Sequence, residues 1–479
     1  MKSRNHNNIN NVNNNKNQSG FYLLSDNTDA FVARLALTTM AEKTLDIQYY
    51  MMHNDASGQY LAYEILSSAD RGVHVRILVD DINLPGSDNH LKILSQHENI
   101  EIRIFNALAH RDWFKNIELV INLKHAGRRM HNKTFVTDNT YAIIGGRNIG
   151  DEYFDARHGR NFVDLDLLCT GPIVDDITLS FNDYWSSPLS TPVENLSKVK
   201  VVKNQLRRIR DKLKDRWRLS KNTDYFRSLQ HSDIGRKIID KKVPFIQAKA
   251  SLFYDIPEKI CSTPSDKSAY LNAQITPYLE QSENELLIVS PYFVPGTRGS
   301  SWFRNKQRQG VNINILTNSL AATDVSAVHA GYKKYRRELI DAGINLFELK
   351  IAPRSLLSKT RQFIRGSSRA SLHAKYMIID QHYVFIGSAN LDPRSRSLNT
   401  EIGILIDSDA LAWQATQLFS KATSLKNSYK ILTASQNNEL LWLTEEKDEE
   451  VLYHHEPEVS FLKKLSVYIL GLLPIESLL

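Results

Sequence analysis

Two segments of this chain carry the same reactive side chains at the same spacing. Residues 131–148 read HNKTFVTDNTYAIIGGRN and residues 373–390 read HAKYMIIDQHYVFIGSAN. Both fit His-x-Lys-x4-Asp-x6-Gly-x2-Asn. One offset, 242 residues, relates His131 to His373, Lys133 to Lys375, Asp138 to Asp380 and Asn148 to Asn390. A neutral imidazole, with an unperturbed pKa of about 6.5, can attack phosphorus or shuttle a proton. Two histidines divide that work: one forms a covalent phosphoryl-histidine, and the other protonates the leaving alcohol and deprotonates the incoming one. Lys133 and Lys375 neutralise the phosphate oxygens as the transition state develops. Asn148 and Asn390 can donate hydrogen bonds to the same oxygens. Gly145–Gly146 and Gly387–Ser388 let the backbone approach the phosphate. The chemistry needs no metal and no other cofactor. The set is symmetric, so these residues do not say which histidine attacks.

Side chains alternate along a strand. His131 and Lys133 therefore share a face, as do His373 and Lys375, whereas Asn132 and Ala374 point the other way. Asp138 and Asp380 lie an odd number of positions beyond the lysines, in Asp-Asn and Asp-Gln pairs that read as turn entries. They are expected to be structural, outside the substrate pocket. Each histidine also needs an acceptor to fix its second ring nitrogen. Glu401 in NTEIGILI and Asp164 in FVDLDLL fall at equivalent places of the repeat, with Asp166 opposite Gly403, and are expected to orient the histidines. The alternative, buried strand residues kept for packing alone, would bury His and Lys twice without a charged ligand, which is costly.

The repeat extends to the elements that must hold these residues. LDIQYYM (Leu45–Met51) matches LIVSPYF (Leu287–Phe293), and RGVHVRILVDD (Arg71–Asp81) parallels QGVNINILTNS (Gln309–Ser319). An amphipathic helix precedes each second run and ends at Gly72 or Gly310. IEIRIF (Ile100–Phe105) and INLFEL (Ile344–Leu349) follow. Each half reads helix, strand, helix, strand, helix, strand, loop and motif strand. The fold class is α/β: two lobes, each a mixed β-sheet flanked by helices.

A chain of 479 residues has room for several domains, and 42% hydrophobic with 24% charged residues is ordinary for a globular protein. Two cysteines, Cys169 and Cys261, exclude a disulfide framework or a cysteine zinc site. No apolar run is long enough to span a bilayer. Residues 1–20 form an Asn-rich tail, expected to be disordered, with no apolar core of a secretory signal. The lobes are expected at 21–190 and 246–430, joined by a connector at 191–245. Within it, residues 198–221 carry eleven basic side chains and two acids, +9 of a total charge of +7. Leu206, Ile209, Leu213 and Trp217 are spaced as on one helix face, so the stretch reads as a basic amphipathic helix. It suits a solvated helix packed along one stripe; the sharper readings are an anionic membrane surface or nucleic acid, which charge alone does not separate. The C-terminal extension, 431–479, ends in FLKKLSVYILGLLPIESLL, an apolar helix with Lys463 and Lys464 that fits a membrane interface or docks on the body.

The duplicated motif resembles the phospholipase D superfamily. RRMHNKTFVTD, IIGGRNIGDEYF, LTNSLAATDVSAVHAGY and SLHAKYMIID with FIGSANLDPRSRSLNTEIG resemble bacterial cardiolipin synthases of the C-type branch over about residues 21–190 and 245–479. The resemblance implies two pseudo-symmetric lobes sharing one active site at their interface. It implies catalysis by His131, Lys133, Asn148, His373, Lys375 and Asn390, with His131 the nucleophile and His373 the general acid/base. One departure is Gly146, where the superfamily often has Ser; Ser388 keeps it. The implied reaction is phosphatidyl transfer onto phosphatidylglycerol from a donor phospholipid, phosphatidylethanolamine in that branch, giving cardiolipin.

Other readings share these residues. A phospholipase D hydrolase, including a secreted effector, would run the same first half-reaction and release phosphatidic acid. A nucleic-acid phosphodiesterase would use the connector on phosphates, but the apolar C-terminus argues against nucleic acid. A non-catalytic membrane-binding protein would have no use for two intact motifs. The loops His110–Met130 and Pro353–Arg369, basic and apolar, are expected to meet lipid headgroups. His125, His158 and His329 are expected to be structural. The expected partners are phospholipid substrates and an anionic membrane surface, with the protein peripheral on the cytoplasmic face of a bacterial inner membrane. Whether an activating protein is needed is left open.

Overall fold

The computed structural model describes residues 18–83, 88–108, 127–156, 159–196, 204–221, 223–261, 267–351, 369–434 and 439–472. The tail before Gln18, most of both pre-motif loops, His125, His158 and the last seven residues lie outside that set. The first-lobe strands are β1 (Ser19–Leu24), β2 (Thr44–Tyr49), β3 (His74–Asp80), β4 (Ile100–Phe105), β5 (Thr134–Thr137), β6 (Tyr141–Gly145), β7 (Arg160–Val163), β8 (Asp166–Thr170) and β9 (Ser190–Pro192). In space their order is β9-β4-β3-β2-β5-β6-β8-β1, with β2, β3 and β4 parallel and the rest antiparallel.

The second lobe repeats this plan. Its strands are β10 (Ile246–Tyr254), β11 (Glu285–Val289), β12 (Asn312–Asn318), β13 (Asn345–Leu349), β14 (Arg369–Leu372), β15 (Tyr376–Ile379), β16 (Tyr383–Gly387), β17 (Ile402–Asp407), β18 (Ser428–Thr433), β19 (Leu440–Glu446) and β20 (Glu449–Tyr453). The spatial order is β10-β17-β16-β15-β11-β12-β13-β18-β19-β20. The two sheets do not stay separate. β1 and β10 pair antiparallel, Ser19 opposite Ala248 and Phe21 opposite Ile246, so 18 strands form one continuous sheet. The positions expected as boundaries at 190 and 430 fall inside β9 and β18. The outer strand of the second lobe is thus completed by residues that hydropathy alone assigns to an extension.

Helices α1 (Asn27–Met40) and α2 (Ala56–Asp70) cover one face of the first-lobe sheet and bury Leu45, Ile47, Val75 and Ile77 beneath them. Asp26 caps α1 by accepting from the backbone of Thr28 and Asp29. The turn after α2 needs a left-handed residue, supplied by Gly72 at φ +96°; Gly310, at φ +99°, does the same in the second lobe. A short helix, α3 (Asp88–Leu94), precedes β4. The basic stretch forms α4 (Gln205–Ser220), and α5 (Ser326–Asp341) and α6 (Phe461–Leu472) lie in the second half. The apolar stripe of α4, Leu206, Ile209, Leu213 and Trp217, packs on the first-lobe core. Its basic side, with Arg207, Arg208, Lys214 and Arg218, faces solvent.

Helix α6 is held on one side only. Val467 is buried against Leu320 and Ala330, and Lys463 reaches the Thr323 carbonyl at 3.4 Å. The opposite side exposes Phe461, Leu462, Leu465, Tyr468, Ile469 and Leu472. Upstream, the chain is pinned by buried ion pairs. Arg336 binds Glu348 at 2.8 Å and Glu456 at 3.0 Å, and His329 lies 3.3 Å from Glu456.

The motif aspartates sit in the β5–β6 and β15–β16 hairpins. Asp138-Asn139 and Asp380-Gln381 all have φ near +50°, a left-handed pair within the three-residue loops that link Thr137 to Tyr141 and Ile379 to Tyr383. The Asp138 carboxylate accepts from the backbone N–H of Glu42, Lys43 and Thr44 at 2.7–2.8 Å. Asp380 accepts from Glu283, Asn284 and Glu285 at 2.7–2.9 Å. Each aspartate fastens a hairpin to the start of the neighbouring strand, at the end of the sheet away from the histidines. Asp138→Asn weakens this charge-assisted set and should lower folding stability by about 1–3 kcal/mol. The test is a urea titration alongside turnover of the folded fraction; a stable but inactive variant would contradict the assignment.

Candidate active site

His131-Asn132-Lys133 lies just before β5 and His373-Ala374-Lys375 just before β15, both at the C-terminal end of the parallel strands. Each segment is held extended by the opposite lobe. β14 runs straight into His373 and pairs parallel with β7, which runs into Asp164; Leu372 stands opposite Val163. The His373 N–H donates to the Val163 carbonyl at 2.8 Å. Met130 bridges to Thr400 in the same way, and the His131 N–H donates to the Thr400 carbonyl at 2.9 Å. These registers set His373 beside Asp164 and His131 beside Glu401.

The side chains complete the exchange. His373 Nδ1 lies 2.6 Å from Asp164 Oδ2, and His131 Nδ1 lies 2.9 Å from Glu401 Oε2. The acids that the repeat places at equivalent positions therefore serve the histidine of the other lobe. With Nδ1–H donated to a carboxylate, Nε2 carries the lone pair in each neutral ring. Lys133 and Lys375 both donate to the carbonyl of their own motif histidine. All six groups are buried. Lys375 acts electrostatically on His131, and Lys133 on His373, so the two half-sites form one centre.

Burial dominates the proton equilibria. It lowers His131 to about 4, against the opposing pull of Glu401 and with help from Lys133. It lowers Lys133 to about 7, with Glu401 opposing and Lys375 assisting. His373 and Lys375 are lowered for the same first reason. Burial alone would raise Asp164 and Glu401, but the attraction and hydrogen bond of their partner histidines outweigh it and hold both below the usual carboxylate range. A buried anion between the lysines would reverse their shift.

The halves differ in how each acid is braced. Ser388 Oγ donates to Glu401 and accepts from the Ile402 N–H at 3.0 Å, and Ser395 Oγ donates to Glu401 at 2.8 Å. In the first lobe Asp164 Oδ1 itself accepts from the Leu165 N–H at 2.8 Å. A Cβ on Gly146 would lie 2.2 Å from that oxygen. The carboxylate thus stands where a serine hydroxyl stands in the other half, which accounts for glycine at 146. Asp166, opposite Gly145, binds Arg34 and Arg147, whereas Gly403 in its place faces the Phe385 ring.

Asn148 donates to the Tyr153 hydroxyl at 2.9 Å and accepts from the Met51 N–H, so its amide is engaged within the protein. Asn390 is buried with Oδ1 unpartnered among the described residues. Sequence reasoning did not find Ser395, nor Asp255, which accepts from the Glu401 N–H at 2.8 Å. It also missed the aromatic walls: Tyr50 packs on His131 at 5.0 Å, and Tyr153 and Phe162 pack on His373 at 5.2 and 4.9 Å. Tyr50 stands next to the LDIQY strand and Tyr153 soon after the first motif, but neither carries a spacing signal. His329 is committed to Glu456, away from this centre. Among the described residues one further group, His53, Asp55 and Glu152, brings ligand-type atoms within 4.8 Å of one another. Asp55 there caps α2 at the Gly58 N–H.

A family profile described as "Cardiolipin synthase, PLD-like domain" matches residues 35–185 and 275–423. The chain belongs to this family. Membership makes it a phosphatidyltransferase of the phospholipase D type. It is 37% identical to cardiolipin synthase C of Escherichia coli (strain K12), over 96% of this chain and 96% of that protein. It is 26% identical to cardiolipin synthase A of Pseudomonas entomophila, over 83% of this chain and 67% of the relative. In fold it is similar to the crystal structure of phosphatidylserine synthase of Haemophilus influenzae Rd KW20, with a TM-score of 0.61 at 14% identity, covering 98% and 99% of the two chains.

Two outcomes follow from this geometry. Gly146→Ser should displace Asp164, leave His373 unoriented and reduce turnover by about 10²–10⁴-fold. Adding Asp164→Glu, which copies the Ser388–Glu401 arrangement, should recover part of the loss; no recovery would break the equivalence. Competitive inhibition by sulfate, whose charge is fixed across the range, should weaken as pH rises through about 7, where Lys133 gives up its proton. Lys133→Arg keeps its charge and should abolish that pH dependence.

Proposed function

We propose that the protein makes cardiolipin by moving a phosphatidyl group, through a histidine, onto phosphatidylglycerol. The observation that carries this reading is the crossed pair of His–carboxylate contacts, which engages both Nδ1 atoms and leaves both Nε2 atoms, with two lysines, for the chemistry of one buried centre. In the first half-reaction Nε2 of His131 attacks phosphorus. The P–N bond forms, the P–O bond to the donor headgroup breaks, and His373, which enters the step as an imidazolium held by Asp164, gives its Nε2 proton to the leaving alcohol. In the second, the terminal hydroxyl of phosphatidylglycerol attacks phosphorus, His373 receives its proton, and the P–N bond breaks. Lys133 and Lys375 neutralise the phosphate oxygens, and the amide NH2 of Asn390 donates to them.

The bracing of the acids supports this division of labour. Glu401 shares its charge with two serine hydroxyls, and burial keeps His131 unprotonated down to about 4, as a nucleophile requires. Among the described residues no serine hydroxyl donates to Asp164, which sits 2.6 Å from His373 and favours a histidine that must carry a proton in the cycle.

The lipids reach the centre from a membrane surface. No helix among the described residues is long and apolar enough to cross a membrane. Helix α6 instead offers six exposed apolar side chains directly opposite its anchor at Val467, flanked by Lys463 and Lys464. An apolar face of this kind fits the headgroup–acyl boundary of an anionic bilayer. It lies next to Leu320 and Thr323; the neighbouring Asp324 binds Tyr292 at 2.8 Å and acts electrostatically on Lys375. The Thr323–Asp324 segment therefore links the helix's anchor to the surroundings of Lys375.

Product analysis by mass spectrometry tests the reading. Purified protein on phosphatidylglycerol vesicles containing phosphatidylethanolamine should form cardiolipin and release ethanolamine. Phosphatidic acid alone would replace transfer by hydrolysis, and cardiolipin with free glycerol would make phosphatidylglycerol the donor. His131→Ala and His373→Ala should each abolish turnover, and Leu462→Glu with Ile469→Glu should reduce sedimentation with the vesicles; normal turnover in either histidine variant would end the mechanism.

A further inference from the structure

A cavity of about 330 Å³ lies on the first lobe, away from the paired histidines. Its floor is apolar: Ala62 and Ile65 of α2, Leu91 and Leu94 of α3, and Ile77 and Ile100 of the sheet. Helix α4 roofs it with Ile209 and Leu213 and sets Lys212 and Arg216 on its rim. The volume lies in the range of small-ligand sites. The roof is fastened. Arg210 pairs with Asp70 at 2.7 Å, Arg216 donates to Gln59, and Trp217 packs between Tyr60, Tyr63 and Phe226.

The rim is electrostatically one-sided. Among the described residues, none that lines it is acidic. His53 is also on the rim, but Glu152 lies 3.3 Å from its Nδ1 and balances it, so Lys212 and Arg216 set the sign. Met52, His53 and Asn54 also line the cavity, and they follow Tyr50, whose ring packs on His131. An apolar slot bordered by two cations has the form of a site for a chain with an anionic head.

We propose that this cavity binds one acyl chain of an anionic amphiphile, with its phosphate or carboxylate at Lys212 and Arg216. The site is separate from the histidine centre and uses the basic connector, which takes no part in the transfer chemistry. It gives α4 a function beyond solvation: the apolar stripe builds the roof and the basic side selects the head. The chemistry is shared by free fatty acids and by membrane phospholipids.

Direct binding tests the proposal independently of turnover. cis-Parinaric acid, a fluorescent fatty acid, is titrated into the full-length protein and displaced with dodecyl phosphate, with phosphatidylglycerol vesicles and with neutral dodecyl maltoside. One probe molecule should bind per chain, in the wild type and equally in the His131→Ala/His373→Ala protein. Ala62→Phe, which fills the floor, and Lys212→Glu with Arg216→Glu, which reverses the rim, should each weaken binding at least tenfold. The charge-reversed protein loses the Arg216–Gln59 hydrogen bond but should keep its cooperative thermal transition, since Arg210–Asp70 and the packing of Trp217 still hold the roof; it remains the control if Ala62→Phe fails to fold. Displacement by the vesicles makes the source a membrane lipid; displacement by dodecyl phosphate alone makes it a free amphiphile. Binding that survives both variants, that dodecyl maltoside displaces as well as dodecyl phosphate does, or that vanishes in the histidine double variant would overturn the proposal. Failure of the phosphatidyl-transfer reading would leave this result unchanged, because no reaction is required.

Discussion

Everything in the centre depends on two hydrogen bonds that cross between lobes, His373 to Asp164 and His131 to Glu401. Six ionisable groups are buried together, and burial alone would cost several kcal/mol for each unpaired charge. Pairing each acid with a histidine and surrounding both with lysines makes the assembly tolerable, yet leaves it short of a negative partner. A phosphodiester supplies that partner. The same constraint fixes geometry, because the crossing contacts are laid down by backbone pairing, β7 with β14 and Met130 with Thr400, before any side chain is placed.

The continuous sheet makes that pairing durable. β1 and β10 join the lobes edge to edge, so the elements that carry the two histidines share one hydrogen-bonded framework. The hairpins held by Asp138 and Asp380 anchor the far ends of the motif strands. The reactive ends are thereby fixed from both sides, which suits chemistry that relies on prearranged charges rather than on closure around the substrate.

Much of this was legible in the chain. The fixed offset revealed the duplication, and alternation along the strand separated His131 and Lys133 from Asp138. Two acids at equivalent places pointed to orienting roles. The exchange of those acids was not legible, because a repeat aligns positions within each half and says nothing about which half faces which. The fused sheet escaped for a similar reason: β1 and β10 look like ordinary first strands. Ser395 and Asp255 brace Glu401 from segments with no pattern, Asp255 across 146 residues of chain. Charge and hydropathy identified α4 as amphipathic, but only packing shows that its apolar stripe is spent on the body of the protein.

The crossed contacts also say something about origins. Each half holds a histidine whose acid lies in the other half, so a single copy of the repeat has both parts of the device and cannot join them. An ancestor with one copy would have worked only as a symmetric pair of chains. Fusing the copies removed the demand for symmetry, and the two halves then diverged: one keeps a long acid with a serine, the other a short acid with a glycine. The halves now differ at Gly146 and Ser388, where one places a carboxylate oxygen and the other a serine hydroxyl.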